Sequence, residues 1–367
     1  MSDTEYIRYS RQIVLPEVGV FGQQKLKNAK VLVVGSGGLG CPVLLYLAGV
    51  GVGKLGIVDF DTVDLSNLHR QILFHTLQVG QNKAVCAVEN LQKVNPEIEY
   101  EAHSFKLSAA NVSDLFVAYD ILIDGSDNFS TRYLVNDACV ITNKPLIHGA
   151  IYRYEGQVSV FNYNDGPTYR CIFPEPPKKE TIPNCSQAGV LGTLPGIVGT
   201  QMANEAVKLI LGMGTLLSGK MLLTDNLNLH YSMISFEKNE EEISKITSNP
   251  NWLLETDYNF DCEEFDAKKT HEISVKELKN KLYSGIQLQL VDVREFYEEP
   301  KFDELKAVQM PLGEIKTKYA KIRRDIPVVV YCQHGSRSLA AINLLQEEFG
   351  YTNLLNLTGG ITGYLNN

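Results

Sequence analysis

The chain has 367 residues, 44% of them hydrophobic and 21% charged, which is room for two domains of ordinary globular composition. Its formal net charge of −9 excludes a broad nucleic-acid or anionic-membrane surface, since such partners need a basic patch to offset phosphate repulsion. The polar start MSDTEYIRYS lacks signal-peptide character and no run approaches the ~20 apolar residues of a membrane span, so a cytoplasmic chain with seven reduced, widely spaced cysteines is expected.

In chain order, an N-terminal arm carrying Arg8 and Arg11 leads into a helix ending near Asn28. From residue 31 to about 150, strand-like runs at 31–34, 55–59, 121–124 and 145–148 alternate with helical stretches at 39–47 and 83–95. Such alternation predicts a mainly parallel, doubly wound α/β sheet with its ligand site beyond the C-terminal strand ends. Gly35, Asp59 and residues 124–127 all fall there.

The first strand runs into GSGGLG, whose Gly35, Gly37, Gly38 and Gly40 permit a tight turn and close approach to a ligand, ahead of a helix N-terminus suited to phosphate. Alone, this loop fits a dinucleotide enzyme equally well. Hydride transfer, however, asks for one ribose carboxylate, whereas here Asp59 and Asp61 are followed by Asn67, Arg70, Gln71 and Lys83. Two cations and an amide after the carboxylates suit a triphosphate, whose charge must be neutralised as it changes in the transition state. Asp127 follows a strand end and is placed to hold Mg²⁺ against phosphates, or else to cap the helix that opens at residues 128–131.

Residues 155–236 hold the strand-like EGQVSVFNY, a Pro- and Lys-rich crossover ending at Cys185, and a helix from 196 to 211 whose Val198, Met202, Ala206 and Leu209 recur at core spacing. Cys185, on a loop before a helix, is a candidate nucleophile, while Cys41, Cys86 and Cys139 sit in apolar helical patterns and read as core. The acidic stretch after Phe236 reads as a linker with one docked segment at residues 252–254. A second, small α/β unit follows, with strands near 288 and ending at Cys332, then a helix from 338 to 349. The loop after Cys332 turns back into a helix, so that backbone N–H groups, the helix dipole and Arg337 would converge on its sulfur and stabilise a thiolate or persulfide.

Two resemblances emerge from these motifs. RYSRQIVLP, GSGGLGCPVLLYLAGVGVGKLGIVDFDTVDLSNLHRQ, VGQNK, DGSDNFSTRYLVND and NCSQAGVLGTLPGIVG resemble the MoeB/ThiF/HesA family, relatives of ubiquitin-activating enzymes. VDVRE, YCQHGSRS and TGGITGYL resemble a rhodanese sulfurtransferase domain, with four residues between cysteine and arginine where tyrosine phosphatases have five. Together they imply a Rossmann-like adenylation domain over 1–240, a linker over 241–270 and a rhodanese-like domain over 271–367.

The implied activity is ATP- and Mg²⁺-dependent adenylation of the C-terminal Gly-Gly of a ubiquitin-like sulfur carrier of the MoaD/ThiS type. Sulfur transfer from a Cys332 persulfide, loaded by a cysteine desulfurase or another donor, would then give a thiocarboxylate. By the same resemblance Asp59 binds ribose, Asn67, Arg70 and Lys83 contact phosphates, and Asp127 holds Mg²⁺. Arg11 reaches the neighbouring subunit's site in a homodimer, and Cys185 bonds to the carrier. Many members hold zinc with two CxxC pairs, but only Thr168 and Cys171 stand at the first and the second is missing, so zinc is not expected and Cys171 is left as a core residue. An NAD-dependent oxidoreductase and a non-catalytic carrier-binding scaffold are the alternatives.

Overall fold

The run Lys30–Val34 (β1) can sit in the middle of a sheet because its last four side chains are all apolar, and those four are buried. In the computed structural model, which describes residues 1–177, 189–258, 260, 271–300 and 306–365, β1 lies between β2 (Lys54–Val58) and β4 (Ile121–Asp124). The chain divides into two units, Met1–Cys262 and Glu263–Asn367.

The sheet of the first unit runs β3-β2-β1-β4-β5-β6-β7-β8, adding β3 (Glu99–His103), β5 (Leu146–Tyr152), β6 (Glu155–Phe161), β7 (Lys220–Asp225) and β8 (His230–Ser235). Its first five strands in that order are parallel, as the alternation of runs predicts. The remaining pairings are antiparallel. The change of direction has a local cause: only Arg153 and Tyr154 separate β5 from β6, too few residues for a crossover, and Arg153 turns the chain at φ +53.

Helices cover both faces. Helix α1 (Asp3–Ile13) starts at a capping box between Ser2 and Glu5, and α2 (Gly19–Asn28) completes the N-terminal arm. On one face α3 (Gly40–Val50), α4 (Lys83–Val94) and the long helix Leu194–Leu211 bury Leu44, Leu47, Leu91, Val198, Met202 and Ala206 in a common core. On the other, α5 (Val112–Val117) and α6 (Phe129–Ile141) bury Phe116, Tyr133, Leu134 and Val135. No helix among the described residues is long and apolar enough to cross a membrane.

One position in the glycine loop is sterically closed. A Cβ on Gly40 would stand 2.0 Å from the Gly35 carbonyl oxygen, itself fixed because Gly35 adopts φ +85 and donates its N–H to Val58 O at 2.8 Å. Gly40→Ala must therefore push the loop off β2. The expected cost is about 3 kcal/mol, read as a fall in melting temperature on the order of 5–10 °C.

Much of the stretch expected as linker is folded onto the first unit. Helix Glu240–Thr247 and the turn Trp252–Glu255 lie against α6, held by apolar contacts, with Ile246 and Leu253 buried and Trp252 and Tyr258 packed on the core of that face, and by polar ones. Buried Asp137 accepts from Trp252 Nε1 and Tyr258 OH, both at 2.8 Å to Oδ2, and from Arg170 Nε at 2.7 Å to Oδ1. The docked segment expected at residues 252–254 is present and extends to Tyr258, with Asp137 as its polar anchor.

The second unit is a five-stranded, all-parallel sheet in the order β11-β10-β12-β13-β9: β9 (His271–Ile273), β10 (Gln289–Asp292), β11 (Val308–Gln309), β12 (Val328–Tyr331) and β13 (Leu354–Leu357). Helix Ser336–Phe349 packs Ala341, Ile342 and Leu345 on one face, and helix Val275–Tyr283 packs Leu278 on the other. Both units are thus α/β, as the sequence implies.

Candidate functional site

A cleft of ≈ 310 Å³ opens over the C-terminal ends of β1, β2 and β4, the place a doubly wound sheet reserves for ligands. Its floor is the glycine loop, with Gly35, Gly37 and Gly38 lining it and Gly40 locking its shape. Asp59, at the end of β2, ties this loop down: its Oδ2 accepts from Ser36 N at 2.8 Å and Ser36 Oγ at 2.9 Å, and its Oδ1 from Asp61 N at 3.0 Å.

The far wall is built by α4. Asn82 caps that helix by accepting from Val85 N at 3.1 Å, while its amide donates to the Asp59 and Asp61 carbonyls. Lys83, the next residue, is thereby delivered into the cleft with 6% exposure, and its Nζ lies 3.2 Å from Asp61 Oδ2. Arg70 comes from the turn after the short helix Leu65–Asn67 and is steadied by Nη2 donating to Asn67 Oδ1 at 2.7 Å. Asn67 is not among the residues that line the cleft; its contact with the cleft wall is the hydrogen bond it accepts from Arg70.

Asp127 also faces the cleft, and the capping alternative is resolved in favour of its neighbour: Asn128 accepts from Thr131 N at 2.8 Å at the start of α6. Behind Asp127, Asp124 accepts from Ser126 N at 3.0 Å and from His148 Nδ1 at 3.2 Å. Burial pushes His148 down toward its neutral form; at Asp124 burial is the largest single influence and raises the carboxyl, but His148, Arg132 and Ser126 together outweigh it and hold the carboxyl below its ordinary value. Arg11 lies exposed in the last turn of α1 and does not line this cleft.

Three cations here are not singled out by sequence reasoning: Lys106, Arg132 and Arg153. With Arg70 and Lys83 they make five cations against the three carboxylates Asp59, Asp61 and Asp127, a local excess of positive charge in a chain whose net charge is −9. Three buried polar atoms on the cleft wall, Gln71 Oε1, Ser126 Oγ and Arg132 Nε, have no protein partner. Buried donors and acceptors are rarely left unpaired, so they point to a polar ligand. A polyanion answers the charge excess and supplies acceptors for Arg132 Nε and Ser126 Oγ, while Gln71 Oε1 calls for a donor such as a hydroxyl or amino group.

In the second unit Cys332 stands one residue beyond β12 with 1% exposure. Its Sγ accepts from Gly335 N at 3.1 Å and lies 3.5 Å from Ser338 Oγ. Burial raises this thiol, but hydrogen bonds from the Ser338 hydroxyl and from the N–H groups of Ser338, His334 and Gly335 overcome it, holding it below the ordinary thiol range. Ser338 is the residue that the sequence reading misses, one position past the expected Arg337. The loop is clamped from behind: Gly360 at φ +58 leaves no room for a side chain, its Cβ position being 2.5 Å from Cys332 O, and Ile361 N donates to that same oxygen at 2.9 Å. Arg337 directs its guanidinium at Glu298 while also interacting with the Cys332 sulfur.

Of the other thiols, Cys41, Cys86 and Cys139 are buried, and burial raises all three, Cys41 to about 12, which suits core filler. Cys171, expected in the core, is instead half-buried: its Sγ accepts from Thr168 N and Asn239 N, both at 3.3 Å, which ties β8's C-terminal extension to the turn at Tyr169. No group of three metal-ligating side chains occurs among the described residues. Cys185 lies outside the described residues.

Comparison with known proteins accounts for both halves. The model of the ThiF family matches residues 9–245, and that of the rhodanese-like domain matches residues 274–367. The probable adenylyltransferase/sulfurtransferase MoeZ of Mycobacterium tuberculosis is 41% identical, the match covering 99% of this chain and 94% of that protein. The adenylyltransferase and sulfurtransferase MOCS3 of Aedes aegypti is 38% identical over 100% and 88% of the two chains. Among solved structures, E. coli MccB with ATP superposes with a TM-score of 0.57 at 25% identity, over 65% of this chain and 73% of that one.

Proposed function

The chain belongs to the ThiF family and carries a rhodanese-like domain at its C-terminal end, and from that premise we propose a two-step activation and sulfuration of a protein carboxylate. It is an enzyme, an adenylyltransferase and sulfurtransferase in one polypeptide. The observation that carries the finer reading is the pairing of a five-cation cleft on a glycine loop with a buried, acidified cysteine in the same chain.

In the first step ATP lies on the glycine loop with its ribose at Asp59 and its phosphates toward Arg70, Lys83 and Arg132. Asp127 would hold a Mg²⁺ ion, which would screen charge between the phosphates. The C-terminal glycine carboxylate of a ubiquitin-like sulfur carrier attacks the α-phosphorus and pyrophosphate leaves, its growing charge stabilised by Arg70 and Lys83. This converts a poor leaving group into AMP. In the second step a persulfide on Cys332 attacks the acyl carbon, AMP departs, and an acyl disulfide forms. Cys185 then attacks the Cys332 sulfur to free the thiocarboxylate, and a thiol reductant clears the resulting disulfide; alternatively Cys185 forms a thioester with the carrier before sulfur arrives. A cysteine desulfurase or another donor reloads Cys332. A homodimer in which Arg11 completes the neighbouring cleft, and a reducing, cytoplasmic setting, fit this thiol chemistry.

The test is ATP–pyrophosphate exchange in the presence of candidate carriers. Exchange that requires a carrier ending in Gly-Gly is the expected result. Exchange that ignores the carrier, or tight NADH binding without ATP binding, overturns the reading.

A further inference from the structure

Among the described residues, two guanidinium groups reach the Cys332 loop, Arg337 to the sulfur and Arg294 to Gln333 Oε1, and each is paired with a carboxylate. Arg337 donates from Nη1 to Glu298 Oε1 at 2.5 Å and from Nη2 to Glu298 Oε2 at 2.7 Å. Arg294, 1% exposed, is matched in the same way by Asp292, with Nε at 3.0 Å from Oδ1 and Nη2 at 2.7 Å from Oδ2. Glu298 is set in place before any donor arrives, since its Oε1 also accepts from Glu295 N at 2.9 Å. The Arg337 hydrogen bonds hold its carboxyl below the usual carboxylate range, so the pair is fully charged and mutually neutralised at pH 7.

A neutralised arginine beside the sulfur has a consequence for the donor. Thiosulfate carries two negative charges, and its leaving group, sulfite, is a dianion that needs an unpaired cation within reach. A persulfide R–S–SH needs none. Resting on the reading of Cys332 as the sulfur carrier, we propose that Glu298 selects the donor: by occupying Arg337 it disfavours small sulfur dianions and matches the cradle to a persulfide. The Cys332 thiolate attacks the outer sulfur of R–S–SH; a new S–S bond forms to Cys332 while the donor's S–S bond breaks, and its electron pair leaves on the donor thiolate. The sulfur moves with its proton and no external oxidant or reductant takes part.

The test uses the full-length protein and Glu298→Gln, which removes the charge and keeps an oxygen for Glu295 N. Alkylation of Cys332 is followed on its own peptide by mass spectrometry, with anionic iodoacetate against neutral iodoacetamide. The ratio of the two rates is expected to rise about tenfold in Glu298→Gln, as Arg337 is released to attract anions, and to fall back in Glu298→Gln/Arg337→Gln. In parallel, the ratio of kcat/KM for thiosulfate to kcat/KM for a desulfurase-borne persulfide should rise by a similar factor. A rate ratio unchanged within twofold, or a gain that survives loss of Arg337, overturns the proposal. Because alkylation requires no sulfur transfer, a Cys332 that carried no sulfur would fail the transfer assay while this measurement still decided the role of Glu298.

Discussion

In the Lys83→Ala variant, carrier-dependent ATP–pyrophosphate exchange is expected to fall by about 10²–10³-fold, the loss typical of removing one preorganised charge from a site where negative charge develops. Lys83 is suited to that role because it is buried to 6% exposure and aimed by the Asn82 cap rather than by its own flexible stem. Its partner Asp61 is exposed, so the pair contributes only ~0–1 kcal/mol to folding and the variant should remain folded. The loss should therefore appear in kcat with little change in melting temperature. Arg70 is half-buried and steadied through Asn67, so Arg70→Ala should cost about tenfold less than Lys83→Ala, and Asn67→Ala should reproduce part of the Arg70 effect without touching a phosphate. Exchange that stayed within threefold of wild type in Lys83→Ala would remove Lys83 from the reaction and with it the argument that the cation excess of the cleft binds a triphosphate.

Where the sequence was legible, one residue type had one physical solution. The β1–glycine loop–α3 unit could be placed because a buried apolar run and a residue 40 without room for Cβ leave little freedom. Asp59, Lys83 and Asp127 converge because each follows a strand end or opens a helix, positions that topology carries to one edge of the sheet, and Arg70 joins them from the turn after the short helix Leu65–Asn67. Lys106 was hidden because it follows β3, whose EYEAH has no buried alternation: the strand pairs with β2 on one side only and three of its five residues are half-buried at best. Arg153 escaped because its importance lies in a two-residue turn at positive φ, a backbone feature invisible in residue type. The docking of residues 252–258 combines the burial of Leu253 with hydrogen bonds from Trp252 and Tyr258 to Asp137, a carboxylate that Arg170 also holds from another stretch of chain, a convergence that no local pattern encodes. In the sulfur cradle the Cys332 loop was readable from its spacing, whereas the pairing of Arg337 with Glu298 joins residues 39 positions apart.

Cys332→Ala should abolish sulfur transfer, by more than about 10³-fold, and leave carrier adenylation within twofold of wild type, because it deletes the one sulfur of the cradle and nothing of the nucleotide cleft. The cradle should outlast the substitution: Ser338 Oγ, relieved of the sulfur, still has Asn356 Oδ1 at 2.8 Å and Gly335 O at 3.0 Å as acceptors for its single hydrogen. Persistent sulfur transfer in Cys332→Ala would assign the persulfide to another thiol and dissolve the two-step scheme. The same hydrogen fixes the pH dependence. Burial raises the Cys332 thiol and the Ser338 hydroxyl leads the bonds that bring it below the ordinary range, so in Ser338→Ala the thiol should titrate at higher pH. The sign follows directly: near pH 7 the variant holds less thiolate and its alkylation by iodoacetamide is slower than wild type, while at high pH, with both forms ionised, the two rates converge. A difference that stayed constant across the whole pH range would mean that Ser338 shapes access to the sulfur and leaves its charge alone, and the hydrogen-bond account of the reactive cysteine would have to be abandoned.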